Sequence, residues 1–150
     1  MFQRWTKRDT DKCYFKMPNE VFRLDLESKE ISIYAYLLRC EDRETYQCNP
    51  SYSTIGKAVK MCENTVRKYV LSLEEKGLIR TEPTTITTKD GRIRNGSLLY
   101  TIRPIQEALE IFHQRQLTRA EEEAEKARLR KRLAQFSKQN TINGTEGVSA

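Results

Sequence analysis

Several polar and basic residues between Glu63 and Lys76 could read the edges of DNA bases. Arginine bonds guanine through two parallel hydrogen bonds, asparagine pairs with adenine in the same way, and lysine mostly meets phosphate. Folding does not require these residues if the segment is an amphipathic helix, because they lie opposite its apolar stripe. Ordinary solvated surface charge is the competing interpretation. The residues predicted to contact DNA from this helix are Asn64, Thr65, Arg67 and Lys68, with Leu71 and Ser72 on the same face.

The helix that must position these residues has a core-facing stripe of its own. Val66, either Tyr69 or Val70, and Leu73 recur at helical spacing. Gly77 follows, and a glycine in the left-handed conformation commonly ends a helix. The sequence therefore predicts that this segment is a recognition helix, meaning a helix whose outer face reads DNA.

A shorter helix after Pro50 precedes the recognition helix at the distance of a tight turn. Its inward residues would be Ile55, Ala58 and Val59, and the turn would lie at residues 61–63. Cys62 stands where a Ser or Thr cap is preferred. The two helices together predict a helix-turn-helix unit.

The first turn of the shorter helix could hold a phosphate, because backbone N–H groups at a helix start lack partners within the helix. Capping is the competing role for its hydroxyl residues, and solvated charge is the competing role for its lysines. We expect one of the two lysines to contact phosphate. The residues predicted to contact DNA from this helix are Ser51, Tyr52, Ser53, Lys57 and Lys60.

The stretch from Leu78 to Ile102 is rich in Thr and Ile and alternates as strands do. A turn at Asp90–Gly91 pairs Ile79 with Ile102, whereas a turn at Asn95–Gly96 leaves Ile79 without a partner. We therefore predict a long hairpin centred on Asp90–Gly91, with a bulge at Gly96.

The tip of this hairpin is basic, and like charges on one narrow ribbon destabilise it mildly unless a partner is present. Solvent exposure is the competing interpretation. A narrow basic ribbon suits a minor groove or the flanking backbone. The hairpin residues predicted to contact DNA are Lys89, Arg92 and Arg94.

Apolar residues on nearly all sides of a helix starting at Ser28 predict that it is central to the core, with Ser28 as its N-cap. A brief strand over residues 45–48 would follow. Pro104 suits the first turn of a long helix over residues 105–136. We expect residues 13–104 to form the folded domain, residues 1–12 to be flexible, and residues 137–150 to be disordered.

The long helix carries a weak heptad seam. Leu117, Ala120, Ala124 and Ala127 occupy its positions, but Lys131 interrupts it. A coiled-coil seam prefers Leu or Ile at most such positions. A homodimer is therefore an open alternative.

Composition favours a polyanionic partner and excludes several other classes. The 150 residues carry 27 Lys and Arg against 21 Asp and Glu, a net charge of +6. The cysteines lack the closely spaced pairs of a zinc site, so no metal or other cofactor is expected. Cysteines without a signal peptide suggest the cytoplasm, and no apolar run is long enough to span a membrane.

Nothing in the sequence predicts an enzyme or a small-molecule substrate. His113 has no acid or nucleophile near it in sequence, and Gly56–Lys57 lacks the other residues of a phosphate-binding loop. The run Glu121–Glu123 is a solvated cluster, because catalytic carboxylates need environments that separate their pKa values.

The segment PSYSTIGKAVKMCENTVRKYVLSLEEKGLI, followed by a Thr-rich basic hairpin, resembles a winged helix-turn-helix protein. More closely, LESKEISIYAYLLRCEDRETYQCNPSYSTIGKAV and KDGRIRNGSLLYTIRPIQEA resemble proteins of plasmids and integrative elements of Gram-positive bacteria. Those proteins are related to the N-terminal domain of plasmid replication initiators. The resemblance covers about residues 14–117, and in it Lys60 stands where a glycine is common.

The resemblance implies an α+β, mainly helical fold: a winged helix-turn-helix with a long C-terminal helix. It implies a recognition helix over residues 63–76, a wing over residues 84–98, and double-stranded DNA as the ligand. A transcriptional regulator and a replication-associated factor would use the same module. The alternative is a protein-interaction adaptor in which the winged helix is a scaffold and the C-terminal helix binds the partner.

Overall fold

The structure is a computed structural model that describes residues 14–143. A 3₁₀ helix, Asn19–Arg23, precedes the first α-helix. The α-helices are α1 (Ser28–Cys40), α2 (Tyr52–Val59), α3 (Glu63–Glu75) and α4 (Ile105–Asn143), and the strands are β1 (Gln47–Cys48), β2 (Ile79–Glu82), β3 (Thr85–Thr87), β4 (Ile93–Asn95) and β5 (Leu99–Ile102). The predicted α+β winged helix-turn-helix fold, with its long C-terminal helix, is confirmed.

The chain divides into two compact units, of which the first ends at Ile111 and the second begins at Phe112. The core of the first unit lies between α1, α2, α3 and the small sheet. Its largest fully buried side chains include Tyr34 and Leu37 of α1, Ile55 of α2, Leu73 of α3 and Tyr100 of β5. Ala108 is also buried, so the first turns of α4 pack with this unit.

The start of α1 differs from the prediction. Ser28 is its first helical residue, and Glu27 holds the N-cap position. The reason is Glu30, whose carboxylate reaches back and accepts a hydrogen bond of 2.8 Å from the Glu27 N–H. An unpaired N–H at the helix start is thereby satisfied without a hydroxyl cap.

The turn between α2 and α3 depends on a close backbone approach. α2 ends at Val59, its C-cap residue Lys60 adopts the left-handed conformation (φ 59°, ψ 48°), and the Met61 N–H donates a hydrogen bond of 2.9 Å to the Gly56 carbonyl. A Cβ on Gly56 would lie 2.4 Å from the Met61 carbonyl oxygen, so only glycine fits. Gly56 is therefore buried, and Ala58, which was predicted to face inward, is exposed.

The predicted hairpin register is confirmed. Ile79 pairs with Ile102 and Thr81 with Tyr100 in the antiparallel β2–β5 ladder, and β1 pairs with the other edge of β5. The brief strand predicted over residues 45–48 forms only at Gln47–Cys48.

The wing is a separate two-stranded sheet of β3 and β4. Between the β2–β5 and β3–β4 ladders, residues 83–84 on one side face residues 96–98 on the other, so the second side carries one extra residue. The predicted bulge at Gly96 therefore exists, and the Gly96 N–H bonds the Thr84 carbonyl at 2.7 Å. Gly91 adopts positive φ (73°) in the tip turn.

α4 is longer than predicted. It does not end at residue 136 but continues to Asn143. Ser137 lies inside this helix, where its hydroxyl donates a hydrogen bond of 3.0 Å to the Leu133 carbonyl, and the Thr141 hydroxyl donates one of 2.8 Å to the Ser137 carbonyl. The flexible segment predicted over residues 1–12 and the part of the predicted tail after Asn143 lie outside the described residues.

Candidate nucleic-acid interface

The outer face of α3 carries the residues that the sequence predicted for base contact. Asn64, Arg67 and Lys68 are exposed and Thr65 is half-buried. Behind them, Val66, Tyr69, Val70 and Leu73 are buried, as the apolar spacing predicted. Because residues three and four apart share a helix face, Asn64, Arg67 and Lys68 form one polar strip.

Arg67 and Tyr52 connect this face to α2. The guanidinium carbon of Arg67 lies 5.5 Å from the centroid of the Tyr52 ring. Stacking on an aromatic face restrains the planar guanidinium and leaves its edge N–H groups free to donate. Two residues predicted separately for DNA contact therefore form one unit.

A shallow groove between α2 and the start of α3 brings together three further predicted residues. Ser53, Lys57 and Lys60 line it, together with Gly56 and residues 61–63. Both lysine side chains are exposed. Its two exposed lysines supply the positive charge that attracts a phosphate group.

Ser51 has the capping role that was its competing interpretation. Its hydroxyl oxygen accepts a hydrogen bond of 3.1 Å from the Thr54 N–H and lies 2.8 Å from the Thr54 hydroxyl oxygen. This cap orders the first turn of α2, which presents Tyr52 and Ser53. Ser51 thus acts on the site through the helix start.

Cys62 holds the N-cap position of α3, as predicted, but its side chain forms no capping bond to the backbone. Its sulfur lies 3.0 Å from the Thr65 hydroxyl oxygen. Hydrogen bonding to Thr65 is the main cause that lowers the pKa of the exposed Cys62 thiol. The Thr65 hydroxyl is therefore directed toward Cys62.

The wing presents its arginines on one face. Thr88 and Arg92 face each other at the tip, where the Thr88 N–H bonds the Arg92 carbonyl at 2.8 Å, and Arg94 pairs with Ile86. Residues two apart on a strand point to the same side, so Arg92 and Arg94 share a face. Both are exposed, as is Lys89 in the turn.

The basic residues of the predicted interface have no acidic partners. Within residues 14–143, no ion pair joins any of these basic residues to an acidic side chain, and the pairs Lys76–Glu30, Arg80–Glu82 and Arg103–Glu107 lie at other positions. An unpaired exposed cation is free to neutralise a phosphate. The basic residues without an ion pair are Lys57, Lys60, Arg67, Lys68, Lys89, Arg92 and Arg94.

A buried carboxylate behind α3 is the main feature that sequence reasoning missed. Glu30 of α1 is 1% exposed and accepts hydrogen bonds from the Ser72 hydroxyl and from Lys76 Nζ, the latter at 2.9 Å. Burial raises the pKa of Glu30, but the bonds from Ser72 and Lys76 outweigh burial and lower it overall. Ser72 was predicted to face outward; instead it holds α3 against α1.

A second contact behind the same helix joins Tyr69 to Glu27. The Tyr69 hydroxyl donates a 2.8 Å hydrogen bond to the Glu27 carboxylate. Together with the Glu30 contacts, it fixes the rotation of α3 about its axis. No spacing within α1 or α3 signals these partners, because 42 residues separate each pair.

Two further findings on residues 14–143 concern metal binding and membrane insertion. Among residues 14–143, no three His, Cys, Asp or Glu side chains come close enough together to hold a metal ion. No helix in that range is long and apolar enough to cross a membrane.

Residues 24–79 match a family model described as a helix-turn-helix domain. No curated protein matches the sequence. Similar solved structures include a possible transcriptional regulator from Methanosarcina mazei (19% identity, 77% of this chain and 80% of that chain, TM-score 0.45). Others are a Staphylococcus aureus MepR–DNA complex (18%, 78% and 86%, TM-score 0.37) and a mutant Lactococcus lactis ZitR in complex with DNA (18%, 80% and 76%, TM-score 0.36).

Proposed function

We propose that the protein binds double-stranded DNA with sequence preference, through α3 in the major groove and the wing on the flanking backbone or minor groove. The observation that carries this proposal is the polar strip of Asn64, Arg67 and Lys68 on the exposed side of a helix whose other side is buried. An α-helix fits the major groove, where arginine and asparagine can distinguish base pairs.

Different residues supply specificity and general affinity in this proposal. Asn64 and Arg67 contact base edges, and Lys68 contacts phosphate. The groove beside α2 with Lys57 and Lys60 holds a phosphate of the DNA. The partly exposed side chain of Thr65 contacts the DNA backbone or a base edge. The wing residues Lys89, Arg92 and Arg94 contact backbone or the minor groove.

The biological role follows from the sequence resemblance. It supports a transcriptional regulator or a replication-associated factor of a plasmid or integrative element, acting in the cytoplasm. The described chain would act by positioning on DNA and recruiting other proteins, because recognition of a site requires no chemistry. A homodimer would read two half-sites whose spacing reflects its two-fold symmetry.

The salt dependence of binding to random duplex DNA tests DNA binding. The logarithm of the binding constant should fall with the logarithm of salt concentration by roughly 0.9 per phosphate contacted. Arg80→Ala is the matched control, because Arg80 is exposed and already paired with Glu82 at 3.4 Å outside the proposed interface. Absence of binding at low salt in wild type would exclude the proposal.

The alternative function is a protein-interaction adaptor in which α4 makes the functional contact. Exposed apolar residues on α4, such as Leu117 (61%) and Leu133 (67%), favour a protein partner for that helix. Under this alternative, removing residues 112–150 would abolish binding of the protein partner. Under the main proposal, residues 1–111 would still bind DNA.

A further inference from the structure

The second unit of the chain is a helix that has no covering surface within the described residues. Every residue of α4 from His113 to Asn143 is exposed. Isolated helices are marginal in water even when they are rich in alanine, and packing of one face supplies most helical stability in proteins. This helix is therefore expected to gain a partner.

One face of this segment is nearly free of bulky side chains. Leu117, Ala120, Ala124 and Ala127 alternate at spacings of three and four residues, and Ala134 continues the pattern after Lys131. These are the a and d positions of a heptad repeat. Alanine at such positions allows two helices to approach closely, so the face suits another helix.

The charges that flank this face are separated along the helix. At the e and g positions that flank this face, the acidic residues Glu121 and Glu123 come first and the basic residues Arg128 and Arg130 follow. In the described structure no ion pair joins the two groups within the helix. Each group is thus available to a partner of opposite charge.

We propose that residues 117–134 of α4 pair with the same segment of a second copy as an antiparallel coiled coil. With Ala124 facing Ala127 of the second copy, Leu117 faces Ala134 and Lys131 faces Ala120. Across the seam, each e position then lies beside an e position of the second copy, and each g position lies beside a g position. Glu121 lies beside Arg128 of the second copy, Glu123 lies beside Arg130, and the two-fold axis doubles both pairs.

Repulsion between like charges disfavours a parallel pairing of the same face. Parallel helices in register would place Lys131 directly against Lys131 within the seam, and like charges there oppose association. The antiparallel arrangement instead places each Lys131 opposite an alanine, between Glu121 and Glu123 of the second copy. The charge pattern therefore selects both the partner and its direction.

A second apolar stripe of Leu129, Leu133 and Phe136 is less suitable. It spans only about two turns, less than half the length of the face from Leu117 to Ala134. An antiparallel pair on this stripe would bring Arg130 against Arg130. A parallel pair would bring Lys126 against Lys126.

Charge reversal tests the partner and the direction together, with sedimentation equilibrium of the full chain in the absence of DNA as the measurement. Glu121→Arg alone should weaken self-association roughly ten-fold or more, because two attractive pairs become repulsive. Arg128→Glu alone should do the same. The double variant Glu121→Arg with Arg128→Glu restores both pairs at unchanged net charge, so its dimer constant should return to within about three-fold of wild type.

A parallel dimer gives a different pattern. There Arg128 lies beside Glu123 of the second copy and Glu121 lies beside Gln116, so Glu121→Arg would have little effect and the double variant would stay weak. Glu125→Arg is the matched control, because it makes the same charge change at an outward position and should leave the dimer unchanged.

Three results would overturn the proposal: a wild-type chain that is monomeric at low salt, the parallel pattern, or loss of association with Leu133→Ala alone. Each variant changes an exposed residue, and circular dichroism checks that the helix is retained. Because no DNA is present, the outcome is independent of whether the proposed DNA binding is correct.

Discussion

Arg67 of α3 stacks on Tyr52 of α2, with the guanidinium carbon 5.5 Å from the ring centroid. The contact joins the two helices of the helix-turn-helix at the surface proposed to face DNA. It also restrains a long side chain that would otherwise lose rotamer freedom on binding. The orientation of the Arg67 side chain is therefore expected to depend on Tyr52.

A double-mutant cycle tests this dependence. Tyr52→Ala should weaken binding to a selected DNA site about two- to five-fold, because cation–π contacts at exposed sites contribute about 0.5–1 kcal/mol. Tyr52→Ala should cost little more once Arg67→Ala is present. Tyr52→Phe keeps the ring and is the control; a loss equal to that of Tyr52→Ala would show that the hydroxyl acts instead. Fully additive effects in the cycle would contradict the coupling.

Glu30→Gln should destabilise the first unit by about 1–3 kcal/mol at pH 7, because it removes the charge from bonds to Ser72 and Lys76. The pKa of Glu30 in the folded state lies below its ordinary value. Its contribution to the free energy of unfolding is therefore fully present above the unfolded-state pKa of about 4.3 and is lost as pH falls through the folded-state pKa. Urea unfolding across pH 3–7 measures the difference. Glu44→Gln, an equal charge change at an exposed residue, should have little effect.

Glu41→Gln should act in the opposite direction. The Glu41 Oε2 atom is buried without a hydrogen-bond partner, and burial raises the pKa of this carboxyl above its ordinary value. The folded state therefore disfavours the ionised form, and the variant should gain about 1 kcal/mol at pH 7. The gain should vanish below the unfolded pKa of about 4.3, where both states are neutral. A less stable variant at pH 7 would mean that Glu41 is paired.

Lys60→Gly should separate stability from DNA binding. Lys60 adopts φ 59°, a conformation that costs a non-glycine residue about 1 kcal/mol, so glycine should raise the unfolding temperature. Loss of the lysine should also weaken DNA binding and lower the salt slope by about 0.9. Lys57→Ala is the control, because it removes a charge from the same groove without relieving the backbone. An unchanged unfolding temperature in Lys60→Gly would contradict the backbone strain inferred at Lys60.

Local periodicity in the sequence was enough to predict helices α1, α2 and α3 and the hairpin register. The register could be predicted because only one turn leaves Ile79 opposite Ile102. The contacts of Glu30 could not be predicted, because Ser72 and Lys76 approach it only after α1 and α3 pack. Ala58 was misplaced because Gly56, which closely approaches the Met61 carbonyl, faces the core instead, and helical spacing alone does not reveal this.

The most direct test of the proposed recognition mode compares two sets of arginines on two kinds of DNA. A duplex selected for binding and a random duplex are each titrated with wild type, Arg67→Ala, and Arg92→Ala combined with Arg94→Ala. Arg67→Ala should weaken binding to the selected duplex by about 1–3 kcal/mol and leave random DNA nearly unchanged. The double wing variant should weaken both duplexes alike and lower the salt slope by about 1.8. Equal losses on both duplexes for both variants would contradict the assignment of base reading to α3.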